Sequence, residues 1–120
     1  MPRPVHFEIA ASDIPKLKEF YSKVFGWTFQ KWEGPQEYWV IKTGQGPGID
    51  GGFMPRMEPG GLTVCTIDVA SLDDSLKVVQ EGGGTQVVPK MPIPGIGWLA
   101  YCKDPEGTIF GNMQVDKGAA

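Results

Sequence analysis

Two adjoining stretches, Val-His-Phe-Glu-Ile-Ala (5–10) and Ser-Asp-Ile-Pro-Lys-Leu-Lys-Glu-Phe-Tyr-Ser-Lys-Val-Phe-Gly-Trp (12–27), decide the fold. The first alternates, with His6 and Glu8 on one face and Val5, Phe7 and Ile9 on the other, the pattern of a half-buried strand. Ser12 or Asp13 then caps a helix, and Pro15 falls in its first turn, where the missing N–H costs nothing. Ile14, Leu17, Phe20, Tyr21 and Val24 recur at helical spacing as one apolar face, and Gly26 ends the helix. Downstream, Trp27 to Trp32 and Tyr38 to Thr43 are rich in aromatic and β-branched residues, with Gly34-Pro35 as turn chemistry between them, so they read as a hairpin. A loop through Gly44 to Gly48 leads to a short strand over Ile49 to Met54.

The same grammar then runs again. Leu-Thr-Val-Cys-Thr-Ile-Asp-Val (62–69) is a strand, and Ser71 with Asp74 three residues on resembles a capping box. Leu72, Ser75, Leu76 and Val79 follow at helical spacing, and Gly82-Gly83-Gly84 ends that helix. Thr85 to Val88, Trp98 to Lys103 and Thr108 to Val115 supply three more strands. Ile9 aligns with Ile67, Ile14 with Leu72 and Gly26 with Gly84, each pair 58 residues apart. The chain (1–120) therefore reads as a single α+β domain of two tandem βαβββ modules, 1–54 and 62–115, joined by a Pro- and Gly-rich linker at 55–61. Each module predicts a curved four-stranded sheet with its helix outside, and the concave faces predict a small cavity.

Composition narrows the function. With 120 residues, 41% hydrophobic and 21% charged, the chain can bury a core without disulfide staples. Eleven Lys+Arg against 14 Asp+Glu give a net charge of -3, which lacks the footprint of a nucleic-acid or anionic-membrane binder. No apolar run approaches a membrane span, and the first residues have no apolar signal core, so the expected setting is the cytoplasm with both thiols reduced. Cys65 and Cys102 stand far apart, with one histidine in the whole chain, which argues against structural zinc. Cys65 alternates with Val64 and Thr66 and reads as a small buried hydrophobe facing the helix side with Ile67, whereas Cys102 fits either face. Asp73-Asp74 opens the second helix, where a dipole-complementing role suffices.

The residues at 12–27, with their Phe-Tyr pair and terminal Phe-Gly-Trp, and Lys-Asp-Pro-Glu-Gly-Thr-Ile-Phe-Gly (103–111) carry a family resemblance. The duplicated chain resembles the vicinal oxygen chelate superfamily of glyoxalase I, bleomycin-resistance proteins and extradiol dioxygenases. Within it, the chain is most similar to predicted enzymes related to lactoylglutathione lyase. That resemblance implies the glyoxalase/bleomycin resistance/dihydroxybiphenyl dioxygenase-like fold, a homodimer and a small-molecule ligand. It also implies metal-ligand positions on the first and last strand of each module, which here hold His6, Gly52 (or Phe53), Val64 and Gly111. Only His6 is a donor, and no carboxylate stands at Gly111, where glyoxalase I holds its proton-moving glutamate. A metal that polarises a substrate oxygen needs about three protein ligands. No metal or other cofactor is therefore expected, and lactoylglutathione lyase activity is not.

His6 and Glu8 are the candidate catalytic pair, two residues apart on one strand face and about 6–7 Å apart along it. Trp98, Ile96, Met54, Thr66 and Met113 are the candidate substrate-binding residues. Pro89 to Trp98, with three prolines and four large apolar side chains, has no strand or helix period and reads as an apolar flap at the rim of the cavity. Three functions stay open: a protein that binds or transforms a small organic molecule without the usual metal; a metal-dependent lyase, isomerase or dioxygenase using His6 with non-standard ligands such as Glu8; and a pure sequestering module.

Overall fold

The computed structural model describes residues 2–34, 37–55 and 62–120. Their order is β1 (Arg3–Ala11), α1 (Ile14–Phe25), β2 (Thr28–Lys31), β3 (Trp39–Lys42), β4 (Gly51–Pro55), β5 (Leu62–Asp68), α2 (Leu72–Glu81), β6 (Thr85–Ile93), β7 (Gly97–Lys103) and β8 (Ile109–Val115). This is βαβββ twice. Pro55 ends β4, while Pro35 of the hairpin turn and linker residues 56–61 lie outside the described residues. Two compact units form: one is His6–Val64, the other the residues up to Val5 with Cys65–Ala120. Among the described residues no helix is long and apolar enough to cross a membrane.

In the unit His6–Val64 the strands run β2-β3-β4-β1, with β1 parallel to β4 and the other pairs antiparallel. Asp13 caps α1 by accepting from the Lys16 N–H at 3.1 Å, and Pro15 occupies the first turn. Gly26 closes the helix at φ 76°, a left-handed conformation that glycine adopts without steric cost. Ala11, Ile14, Ile41 and Phe53 form the core, flanked by Phe7, Ile9, Leu17, Tyr21, Trp27, Phe29 and Trp39. Phe7 and Ile9 thus lie under α1, as the alternation of β1 predicts. Phe20 and Val24 do not join them; they stand 51% and 52% exposed, because the core meets only the Ile14–Leu17–Tyr21 line of the helix. Val5 is also exposed.

In the other unit the order is β5-β8-β7-β6, with β5 parallel to β8. The Ser71 hydroxyl caps α2 by accepting from Asp74 N–H. The helix docks through the buried Leu72, whose N–H donates to Gln114 Oε1 at 2.8 Å, and through Ser75, whose hydroxyl donates to Asn112 Oδ1 at 2.9 Å.

Two readings of the sequence are corrected here. Residues 89–93 are not part of a flap: β6 runs unbroken from Thr85 to Ile93 and pairs with β7 as far as Ile93–Gly97. The register slips between Gln86 and Val88 and again between Val88 and Met91, which hides any period of two. Prolines are tolerated because β6 is the edge strand of its unit. Cys65 is the second correction. It is exposed, on a strand that α2 packs against less than it does against β6, β7 and β8. Cys102 is fully buried, its thiol pushed up in pKa by burial while Asn112 donates to it at 3.4 Å. A thiol reagent should therefore modify one cysteine per native chain and two after denaturation, with mass mapping assigning the native adduct to Cys65. Two native adducts would contradict this packing.

Candidate functional site

Strand alternation builds the site in the unit His6–Val64. On β4, Gly51 and Phe53 face the helix side, so Gly52 and Met54 face away from it. Parallel pairing sets Glu8 opposite Gly52 and Ala10 opposite Met54, and β3 sets Val40 opposite Gly52. Tyr38, two residues before Val40, reaches across this face. Its phenol oxygen lies 2.7 Å from His6 Nε2, and the two rings are nearly parallel at 20°.

Gly52 makes this contact possible. A Cβ built there would collide with the Tyr38 phenol oxygen and ring. Its backbone φ is not in the left-handed region, so the requirement is for space rather than conformation. Trp32 stands edge-on to the Tyr38 ring at 6.1 Å and donates its backbone N–H to the Tyr38 carbonyl at 2.9 Å, fixing the strand end that carries the phenol.

Electrostatics set the state of the ring. Burial holds the His6 pKa below its ordinary 6.5, partly opposed by the negative charges of Glu8 and Asp50. Glu8 is 5% exposed. Asp50 accepts from the Thr43 N–H at 2.9 Å and the Thr43 hydroxyl at 3.2 Å; these bonds, the backbone one above all, hold its carboxyl below the usual carboxylate range. His6 is thus predominantly neutral at physiological pH. Because the unfolded chain takes up the proton first as pH falls below about 6.5, the contribution of His6 to stability is whole above that value and is lost through the lower folded pKa. Urea unfolding at pH 7.5 and pH 5.0 should show wild type losing stability on acidification and His6→Gln losing less. The depressed Asp50 and Asp116 act only below their ordinary 3.8 and do not obscure this window. Equal acid sensitivity in both proteins would contradict a buried neutral imidazole.

The other predicted site residues divide. His6, Glu8 and Met54 share the face just described, with Met54 9% exposed. In the second unit, Thr66 is buried beside Gly111, and Met113 pairs with Leu99 on the face away from α2. Trp98 lies on the opposite, α2 face. It pairs with Gln114, donates its indole N–H to Asp116 at 3.0 Å and carries the Lys90 ammonium 5.0 Å above its ring. Ile96 is 43% exposed in the β6–β7 turn, which the C-terminal residues clamp through Gly95 N–H to Ala119 O and Asp116 N–H to Ile96 O. Trp98 and Ile96 are therefore hairpin residues, and the flap reading is withdrawn for them. Tyr38 was not among the predicted site residues. The signal for it lay in Gly51-Gly52, since glycine inside a strand marks a close approach by another group.

The donor set does not fit the metal that the fold implies. Tyr38 already holds His6 Nε2 and fills the space a Gly52 side chain would need, Phe53 is packed in the core under α1, and Val64 is a buried aliphatic residue. Among the described residues no three His, Cys, Asp or Glu side chains converge on one point.

The comparisons with known proteins agree with this architecture. The family model of bleomycin resistance protein-like N-terminal domains matches residues 3–44. Methylmalonyl-CoA epimerase from Mycobacterium tuberculosis superposes with a TM-score of 0.72 at 13% identity, covering 94% of this chain and 87% of that one. A hypothetical protein from Bacillus halodurans C-125 gives 0.71 at 16%, covering 99% and 98%. A Streptomyces coelicolor methylmalonyl-CoA epimerase variant in complex with 2-nitronate-propionyl-CoA gives 0.66 at 14%, covering 98% and 97%. No curated protein matches the chain in sequence. Fold and duplicated βαβββ order together define the class of architecture: the chain has the fold of these epimerases, and residues 3–44 are similar to the bleomycin resistance protein-like N-terminal family.

Proposed function

We propose that the chain binds a small organic molecule at the face of the His6–Val64 unit turned away from α1, with His6 and Tyr38 as its polar anchor and no metal at the site. The observation that carries this reading is the 2.7 Å contact between His6 and Tyr38 above a glycine that leaves room for it. A few fixed polar groups, here His6, Tyr38 and Glu8, beside apolar ones such as Val40 and Met54 are the usual design of small-molecule sites. Neighbouring structures of the same fold hold acyl-CoA ligands, and the family match is to bleomycin-resistance proteins. The probes are therefore methylmalonyl-CoA, propionyl-CoA and bleomycin. Saturable binding of at least one, weakened about tenfold in His6→Ala, supports the reading; no binding of any, or equal binding in His6→Ala, overturns it. Deuterium uptake at C2 of methylmalonyl-CoA in D2O would mark an enzyme, and tight binding without uptake a sequestering protein.

The same reading makes the chain a cytosolic homodimer. Phe20, Val24 and Phe25 of α1, at 51%, 52% and 61% exposure, support an interface. Sedimentation velocity should give a dimer mass at micromolar concentration, and a monomer would count against it.

A further inference from the structure

Thr66 on β5 pairs with Gly111 on β8, and its neighbour Ile67 pairs with Asn112, whose Oδ1 accepts from Ser75 of α2. Alternation therefore turns Thr66 and Gly111 to the face away from α2. Thr66 is 2% exposed, yet among the described residues its hydroxyl makes no hydrogen bond. No fully buried side-chain nitrogen or oxygen among them lacks a partner, so the residual surface of Thr66 includes its hydroxyl oxygen. The group is shielded from bulk water but still reachable. Gly111 makes room beside it. A Cβ built there would lie 3.0 Å from Thr66 Oγ1, 3.4 Å from a Tyr101 ring carbon and 3.5 Å from Leu99 Cδ1. The φ of Gly111 is not in the left-handed region, so the glycine supplies space: a notch the width of a methyl group, with the hydroxyl on its wall. Leu99 and its cross-strand partner Met113 make the surroundings apolar. A shielded hydroxyl without a partner costs stability that an isosteric valine would avoid, so its fitting partner comes from outside the chain.

We propose that the Thr66 hydroxyl and the notch over Gly111 bind one uncharged oxygen, the hydroxyl or carbonyl of a small and otherwise apolar molecule. Thr66 suits either, because a hydroxyl both donates and accepts. A charged group would lose its hydration there and find no opposite charge on Thr66, Leu99, Tyr101, Gly111 or Met113. Asp68, two residues further along this face of β5, is exposed and keeps its own water. The site uses residues of the Cys65–Ala120 unit alone and takes a second, smaller class of ligand than the one proposed for His6.

Two measurements on the full chain test it. Urea unfolding of Thr66→Val without ligand should give a midpoint no lower than that of wild type, since no native hydrogen bond is lost. A lower midpoint would mean that the hydroxyl is already satisfied, by an ordered water or by the chain, and overturns the proposal. Methyl 1H–13C spectra, with the Met113 and Leu99 signals assigned by substitution, should then be followed through titrations with acetone, 2-propanol and acetate. Acetone or 2-propanol should shift these signals saturably, and acetate at the same concentration should not. The affinity should fall about tenfold in Thr66→Val, be kept in Thr66→Ser and vanish in Gly111→Ala, whose methyl fills the notch. No saturable shift with either uncharged probe, an equal shift with acetate, or a Thr66→Val protein that binds like wild type overturns it. None of these probes is one of those used for His6, so either reading fails without the other.

Discussion

Truncating Phe53 to alanine should cost about 3–5 kcal/mol of stability, the range for removing a fully buried aromatic ring. Phe53 has no exposed surface and sits on β4 at the centre of the His6–Val64 core. Its ring stacks on Phe29 at 5.5 Å and meets Tyr21 at 6.3 Å, so α1 and β2 both lose their anchor when it goes. Its strand neighbours are Ile9 on β1 and Trp39 on β3, all on the helix side. The surrounding rings are too rigid to collapse into the space left, which places the loss toward the upper end. Urea unfolding monitored by tryptophan fluorescence measures it. A loss under about 1.5 kcal/mol would mean that this core is not packed as described.

Gly52→Val should do less to stability and more to the site. A branched side chain must occupy the volume now held by the Tyr38 phenol, and overpacking of this kind costs about 1–3 kcal/mol. The phenol must swing away, so His6 loses its Nε2 partner. Binding of whichever probe the wild type accepts should fall at least about tenfold, by the loss of a preorganised polar anchor. A folded Gly52→Val that binds as well as wild type would separate the Tyr38 contact from function altogether.

The sequence made the fold legible because strand alternation and the Asp13 and Ser71 caps repeat at one spacing, and glycine, at Gly26 and Gly82, closes both helices. It made His6, Glu8 and Met54 legible as one face for the same reason: β1 and β4 carry opposite faces at period two. What it concealed has physical causes. Bulges in β6 broke the alternation that marks a strand, so Pro89 to Ile93 resembled a loop and drew Trp98 and Ile96 into the site. Cys65 alternates correctly, but its exposure depends on which strands α2 covers, and no local pattern encodes that. Tyr38 could not be assigned because its partner His6 is 32 residues away, and only strand order brings the two together.

The central claim is that a ligand meets this protein at His6, on the face of the His6–Val64 unit turned away from α1. A crystal structure grown with a saturating concentration of the tightest of the three probes tests it most directly. The account predicts a polar ligand atom within about 2.7–3.2 Å of the His6 ring, with the Tyr38 contact at Nε2 intact. A probe seated elsewhere, for instance in the shallow groove among Val79, Gly84, Lys103, Pro105 and Phe110, with His6 touching no ligand atom, would contradict it.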